Sequence, residues 1–157
     1  MKVNIPNIVN NLGKNIKFLQ PLYESITNSL EANATNIEIE ILHDNTFEEV
    51  TPKMIGFTIK DNGEGFDTKN RDAFMELWTK NKITLGCKGS GRFTWLKVFK
   101  NIDIESDVQN EQCKVIIPFS LDFEEKDMSV VKSTIDKNST IIKFTNVTST
   151  YYNNVSD

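Results

Sequence analysis

Ile55-Gly56-Phe57-Thr58-Ile59-Lys60-Asp61-Asn62-Gly63-Glu64-Gly65 is the stretch from which the fold can be read. Ile55, Phe57 and Ile59 alternate with other residues, the period of a strand with one buried face. The strand runs into Asp61-Asn62-Gly63, a turn composition. Just upstream, Ile37-Glu38-Ile39-Glu40-Ile41 alternates strictly and predicts a second strand. The polar residues 44 to 53, with Pro52, form a connector between the two. Further upstream, Leu22, Ile26 and Leu30 recur every four residues and predict a helix over 15 to 34. Downstream, Phe74, Leu77 and Trp78 form the apolar side of a short helix over 68 to 79. A glycine-rich segment, Leu85 to Arg92, opens another helical pattern with Phe93, Leu96 and Phe99 inward. From Asn101 the chain reads as strands: Ile102/Ile104, Val115/Ile117/Phe119, Val130 and its neighbours, and Ile141 to Val147. Helices early and strands late predict an α+β, two-layer α/β sandwich. Its helices lie on one face of a mostly antiparallel mixed sheet.

Composition narrows the function. The 157 residues suit one domain, 1–157. Acidic residues number 22 against 18 basic ones, a net charge of −4. That is the wrong sign for a domain whose main partner is a nucleic-acid backbone, so nucleic acid is expected only through other domains. No run approaches the roughly 18 apolar residues a membrane helix needs. Met1 to Pro6 lacks the apolar core of a secretory signal, so the expected place is the cytoplasm, with no membrane partner. Two cysteines and one histidine exclude a Cys/His zinc cage. His43 stands beside Asp44 with no nucleophile near it in sequence, which disfavours Ser-His-Asp chemistry. The acidic residues Asp122, Glu124, Glu125 and Asp127 read as a solvated hairpin face.

Three separated segments can carry chemistry. On the first helix, Glu24, Asn28 and Glu31 fall within about 60° of one another, opposite the Leu22/Ile26/Leu30 stripe. A carboxylate can polarise water, and an amide oxygen suits Mg²⁺. Alone, the same residues are those of any solvated helix face. Asp61 at a strand end, followed by Gly63 and Gly65, can accept from an exocyclic amine while the backbone approaches a flat ring. Alone, it is an ordinary turn. Gly86-x-x-Gly89-x-Gly91 opens a helix whose first amides suit an anion. It is neither a Walker P-loop nor a Rossmann fingerprint, and alone it is a surface loop.

In order and placement the three together resemble the GHKL ATP-binding family: gyrase, the heat-shock chaperone ATPase, histidine kinases and MutL. The resemblance runs from Tyr23 to Val147. It implies the Bergerat-type fold, with ATP and Mg²⁺ as cofactors. It implies Glu24 as the base that activates water and Asn28 as the Mg²⁺ ligand. Asp61 would hold the adenine amine, with Gly63 and Gly65 keeping the base pocket open. Residues 66 to 91 would be a lid, ending in a phosphate-binding set of Gly86, Lys88, Gly89, Ser90, Gly91 and Arg92. Thr140 matches the threonine that supports the adenine-binding aspartate, although Ser139 stands where the family has glycine. Glu31 replaces the more usual Asp before Ala32. Phe93, Trp95, Leu96 and Phe99 read as core.

The resemblance is nearest to the chaperone, MutL and MORC-like branches, and implies slow hydrolysis of Mg-ATP used as a conformational and dimerisation switch. Alternatives are a histidine-kinase catalytic domain and a nucleotide-binding module without hydrolysis. Glu24 and the Gly-Arg-Phe ending of the glycine loop favour the switch ATPase, because kinases do not generally need that glutamate. In the MutL and gyrase branches a lysine from a following domain touches the γ-phosphate. A downstream domain in the same chain and an ATP-dependent homodimer of the full-length protein are therefore expected.

Overall fold

A computed structural model of the chain describes residues 5–12, 15–44, 53–79 and 91–152. Helix α1 (Ile5–Asn11) and helix α2 (Gln20–Glu31) precede strands β1 (Ile37–His43) and β2 (Met54–Asp61). Helices α3 (Thr68–Thr79) and α4 (Gly91–Val98) follow. The rest is strand: β3 (Phe99–Val108), β4 (Cys113–Phe119), β5 (Ser129–Lys132) and β6 (Ser139–Val147), closed by a short helix α5 (Ser149–Tyr152). The sheet order is β1-β2-β6-β3-β4-β5, and every pairing among the described residues is antiparallel.

Register explains the core. Directly opposed residues share a face, so each row of partners is uniform in character. One row runs Ile39, Ile59, Ile142, Ile104 and Ile117. Another runs Ile41, Phe57, Phe144, Ile102 and Phe119. Both point to the helical layer, where Phe57 stacks on Phe144 at 4.2 Å and Trp95 of α4 meets Phe144 edge-on at 5.1 Å. Phe93, Leu96 and Phe99 are buried with them. The opposite face carries charged partners such as Glu38 opposite Lys60 and Asp103 opposite Lys143.

Helix α2 is shorter than its periodicity predicts. Pro21 lacks an amide hydrogen and is accommodated only in the first turn, which sets the start at Gln20. Asn33 adopts φ 60° and the Ala34 amide reaches the Ser29 carbonyl at 3.0 Å, which ends the helix. Its buried face also differs. Pro21, Ser25 and Ser29 are turned inward, Leu22 and Ile26 pack on their flank, and Leu30 is 60% exposed. Small residues let the helix lie close to the sheet, and this rotates Glu24 and Asn28 from the outer face to the other shoulder of the buried stripe.

Helix α1 has no counterpart in the sequence reading. It is short, and its Val9 and the following Leu12 reach the core. Lys97 of α4 donates to its Asn10 carbonyl at 3.4 Å.

Helix α3 is held at its start. Asp67 caps the Asn70 amide at 2.8 Å. Glu111, in the β3–β4 turn, accepts from the Thr68 amide at 2.8 Å, the Thr68 hydroxyl at 2.6 Å and Arg71 at 2.9 Å. The Thr68 hydroxyl and amide, with Arg71 beside them, hold the Glu111 carboxyl down at about 2, against 4.5 ordinarily. The folded value is the lower one, so this anchor stabilises the fold fully above pH 4.5 and its contribution is lost as the pH falls towards 2. Glu111→Gln is expected to lower stability at pH 7 by about 1 kcal/mol. Urea titrations from pH 7 to pH 3 should show the difference from wild type narrowing in acid.

Candidate functional site

The inner row at one end of the sheet breaks the apolar pattern. Its partners are Ile37, Asp61, Thr140, Ser106 and Val115. Asp61, Thr140 and Ser106 are buried polar residues at 7%, 3% and 0% exposure. A buried carboxylate needs donors, and Asp61 has two. The Ser29 hydroxyl of α2 donates to Oδ2 at 2.7 Å, and the Gly63 amide donates to Oδ1 at 2.9 Å. Each oxygen keeps a lone pair for a further donor. Thr140 lies beside Asp61 in the register, and its hydroxyl pairs with Ser106 at 2.9 Å.

The turn after β2 is pinned on several sides. Phe66 donates its amide to the Ser106 hydroxyl at 3.0 Å. Asn70 and Arg71 of α3 donate to the Gly65 and Phe66 carbonyls at 2.6 and 2.8 Å. The Asn62 side chain accepts from the Thr35 and Asn36 amides, each at 2.9 Å, which ties the turn to the end of α2. Gly65 has φ +70°, and a Cβ there would meet the Ser106 hydroxyl and lie 2.9 Å from the Thr140 hydroxyl.

The other end of the site lies where α2 meets α4. A Cβ on Gly91 would fall onto the Glu24 carboxylate, so the start of α4 lies directly against that side chain. One turn along α2, the Asn28 side-chain nitrogen is buried and has no hydrogen-bond partner among the described residues. A half-turn of the amide puts its oxygen in the same place. Arg92, next to Gly91, is half-buried, and its Nε is likewise buried without a partner there. Burial pushes its guanidinium down to about 10, while the charge of Glu31 acts in the opposite sense.

Helix α2 therefore joins all three segments singled out in the sequence, touching Asp61 through Ser29 and Gly91 through Glu24. Gly63, Gly65 and Thr140 gather around Asp61, while Asn28 and Arg92 belong to the Gly91 end. Gly86, Cys87, Lys88, Gly89 and Ser90 lie outside the described residues, as do residues 80 to 85 of the expected lid. Sequence reasoning missed Ser29 and Ser106. The signal was present for Ser106, a hydroxyl at a position where Ile102, Ile104 and Val108 set a buried alternation. Ser25 and Ser29, spaced at four beside Pro21, could have shown the small-residue face of α2.

Residues 16–151 match the family described as histidine kinase-, DNA gyrase B- and HSP90-like ATPase. The chain belongs to that family. It is accordingly an ATP-binding domain of the GHKL ATPase type. The 43K ATPase domain of Thermus thermophilus gyrase B, solved with an aminocoumarin, matches 91% of this chain with a TM-score of 0.62 at 17% identity. The N-terminal domain of a DNA repair protein matches 91% with a TM-score of 0.54 at 18% identity. The chain spans 39% and 38% of the lengths of those two chains. At these identities the likeness is one of fold. No curated protein matches the sequence. No helix among the described residues is long and apolar enough to cross a membrane.

Gly65→Ala tests the geometry of the turn. A left-handed φ and the crowding by Ser106 and Thr140 are expected to cost roughly 1–3 kcal/mol, read as a lower urea midpoint.

Proposed function

We propose that this domain binds Mg-ATP between α2, the turn after β2 and the start of α4, and hydrolyses it slowly as a conformational switch. The observation that carries the reading is the double contact of α2, with Ser29 on Asp61 at one end and Glu24 on Gly91 at the other. In this reading Asp61 accepts from the adenine amine, and Thr140 with Ser106 fixes the floor beneath the base. Gly63 and Gly65, without a Cβ, let the turn close on Ala32, Ser106 and Thr140 beside the base. The amides at the start of α4, the Arg92 guanidinium and the loop residues Gly86, Lys88, Gly89 and Ser90 take the phosphates.

No group of three or more His, Cys, Asp or Glu side chains able to hold a metal occurs among the described residues. Mg²⁺ is commonly held by one or two protein oxygens together with phosphates and water, so a single amide could serve. The unpartnered Asn28 amide is the candidate ligand. Bound Mg²⁺ would neutralise charge on the phosphate oxygens. Glu24 would take the proton from the water that attacks the γ-phosphorus as ADP leaves. We further propose that 1–157 forms one nucleotide-binding unit of a longer cytoplasmic protein, which pairs with a second copy when ATP closes the lid.

Calorimetry with ATP tests the base pocket. Asp61→Asn is expected to lower affinity by more than about tenfold, because an amide turns one acceptor into a donor facing the adenine amine. Unchanged affinity would remove Asp61 from the site. In the full-length protein, Glu24→Ala should keep ATP affinity and lose about 100-fold or more in phosphate release. Unchanged turnover would leave Glu24 a packing partner of Gly91. Labelled phosphate transferred to a protein histidine would instead support the kinase reading.

A further inference from the structure

Arg92 is the second residue of α4 and has an unusual setting for a cation. Its guanidinium carbon lies 5.2 Å from the centre of the Phe74 ring and 5.6 Å from that of Phe66. The two rings meet edge to face with centroids 5.9 Å apart. Phe74 belongs to α3, and Phe66 to the turn just before it. A guanidinium carries its five N–H donors in its plane and packs aromatic rings on its faces. Here the guanidinium carbon lies over both rings, while buried Nε has no acceptor among the described residues. A desolvated cation with an unmatched donor is unfavourable, and an anion in its plane relieves both defects. The lowered guanidinium value, about 10, reflects the same desolvation.

We propose that Phe66 and Phe74 are positioning residues that hold the Arg92 guanidinium ready for a polyphosphate, and that phosphate bound there in turn seats helix α3. The proposal rests on the nucleotide reading of the cleft given above. The rings leave Nε without an acceptor, so a phosphate oxygen that meets this donor need not displace them. A side chain fixed in advance loses less freedom on binding. Linkage is reciprocal, so whatever α3 does for the phosphate the phosphate does for α3.

Hydrogen–deuterium exchange over residues 68–79, with calorimetry, tests this on wild type, Arg92→Lys and Phe74→Leu. The probes are ATP, adenosine and inorganic tripolyphosphate. In wild type, ATP and tripolyphosphate should slow exchange in α3 and adenosine should not. Arg92→Lys should lower affinity for the two phosphate compounds about tenfold, keep adenosine binding and abolish the slowing. Phe74→Leu keeps the arginine and should weaken the same two ligands roughly threefold, with adenosine unchanged. Phe66→Leu removes the other ring and replaces Phe74→Leu if that variant fails to fold. A role in packing alone would not separate phosphate compounds from adenosine. Wild-type tripolyphosphate affinity in Arg92→Lys, or α3 exchange indifferent to both phosphate compounds, would overturn the proposal. Tripolyphosphate that binds and slows α3 while ATP gains nothing over it would sustain the proposal and overturn the adenine assignment. Adenosine that binds with no gain from added phosphates would do the reverse.

Discussion

The hydrogen bond from Ser29 to Asp61 is the contact on which the site depends. It joins the helical layer to the sheet at the one inner row where apolar packing stops. A carboxylate placed there without donors would be expelled or protonated. Two donors make it tolerable, and both come from segments that the site needs in place. Ser29 fixes the depth of α2, and the Gly63 amide fixes the turn. Because α2 is a short helix, setting its last turn over Asp61 also sets Asn28, the residue before Ser29, and Glu24, one turn before Asn28. Gly91, without a Cβ, sits directly against the Glu24 carboxylate.

Much of this was legible in the sequence. Strict alternation gave β1 and β2, and the helix over Thr68–Thr79 appeared within its predicted bounds. Period two reads well where one face is buried, since a one-residue slip would reverse every side chain. The reading of α2 was less complete. Leu22, Ile26 and Leu30 suggested a leucine-rich inner stripe, whereas the helix seats on Pro21, Ser25 and Ser29. Apolar periodicity marks what avoids water but not how closely a helix can approach, and close approach favours small residues. Helix α1 was invisible because seven residues are too few to show a period. The polar row of Asp61, Thr140 and Ser106 was half legible. Asp61 stood out beside its glycines, but the hydroxyl of Ser106 gained meaning only when register put it opposite Thr140.

The turn after β2 shows how far local sequence can be overridden and still be used. Asp61-Asn62-Gly63 is an ordinary turn composition, and taken alone it predicts a solvated loop. In the fold, each residue is committed elsewhere. Asp61 faces inward, Asn62 holds the Thr35 and Asn36 amides, and the Glu64 amide donates to the Ala32 carbonyl at 2.9 Å. Asn33 reaches Glu64 from the other side at 2.9 Å. A turn held by this many bonds has little freedom to rearrange.

The two ends of α2 differ in a way that bears on mechanism. Around Asp61 the polar side chains are already partnered: Ser29 and Gly63 donate to Asp61, and Ser106 pairs with Thr140 and accepts from Phe66. Around Gly91 they are not, since the Asn28 amide nitrogen and Arg92 Nε are both buried without partners among the described residues. Paired polar groups are rigid and bind what fits them; unpaired ones are unfavourable until something arrives to complete them. A ligand reaching from one end to the other would thus find a preformed socket at Asp61 and supply the missing partners at Asn28 and Arg92. The second event releases more free energy than the contacts alone would suggest, because it also ends the burial of unmatched donors. On the proposed reading, a ligand-driven change would therefore fall where α3 and α4 meet, with the sheet end as its fixed support.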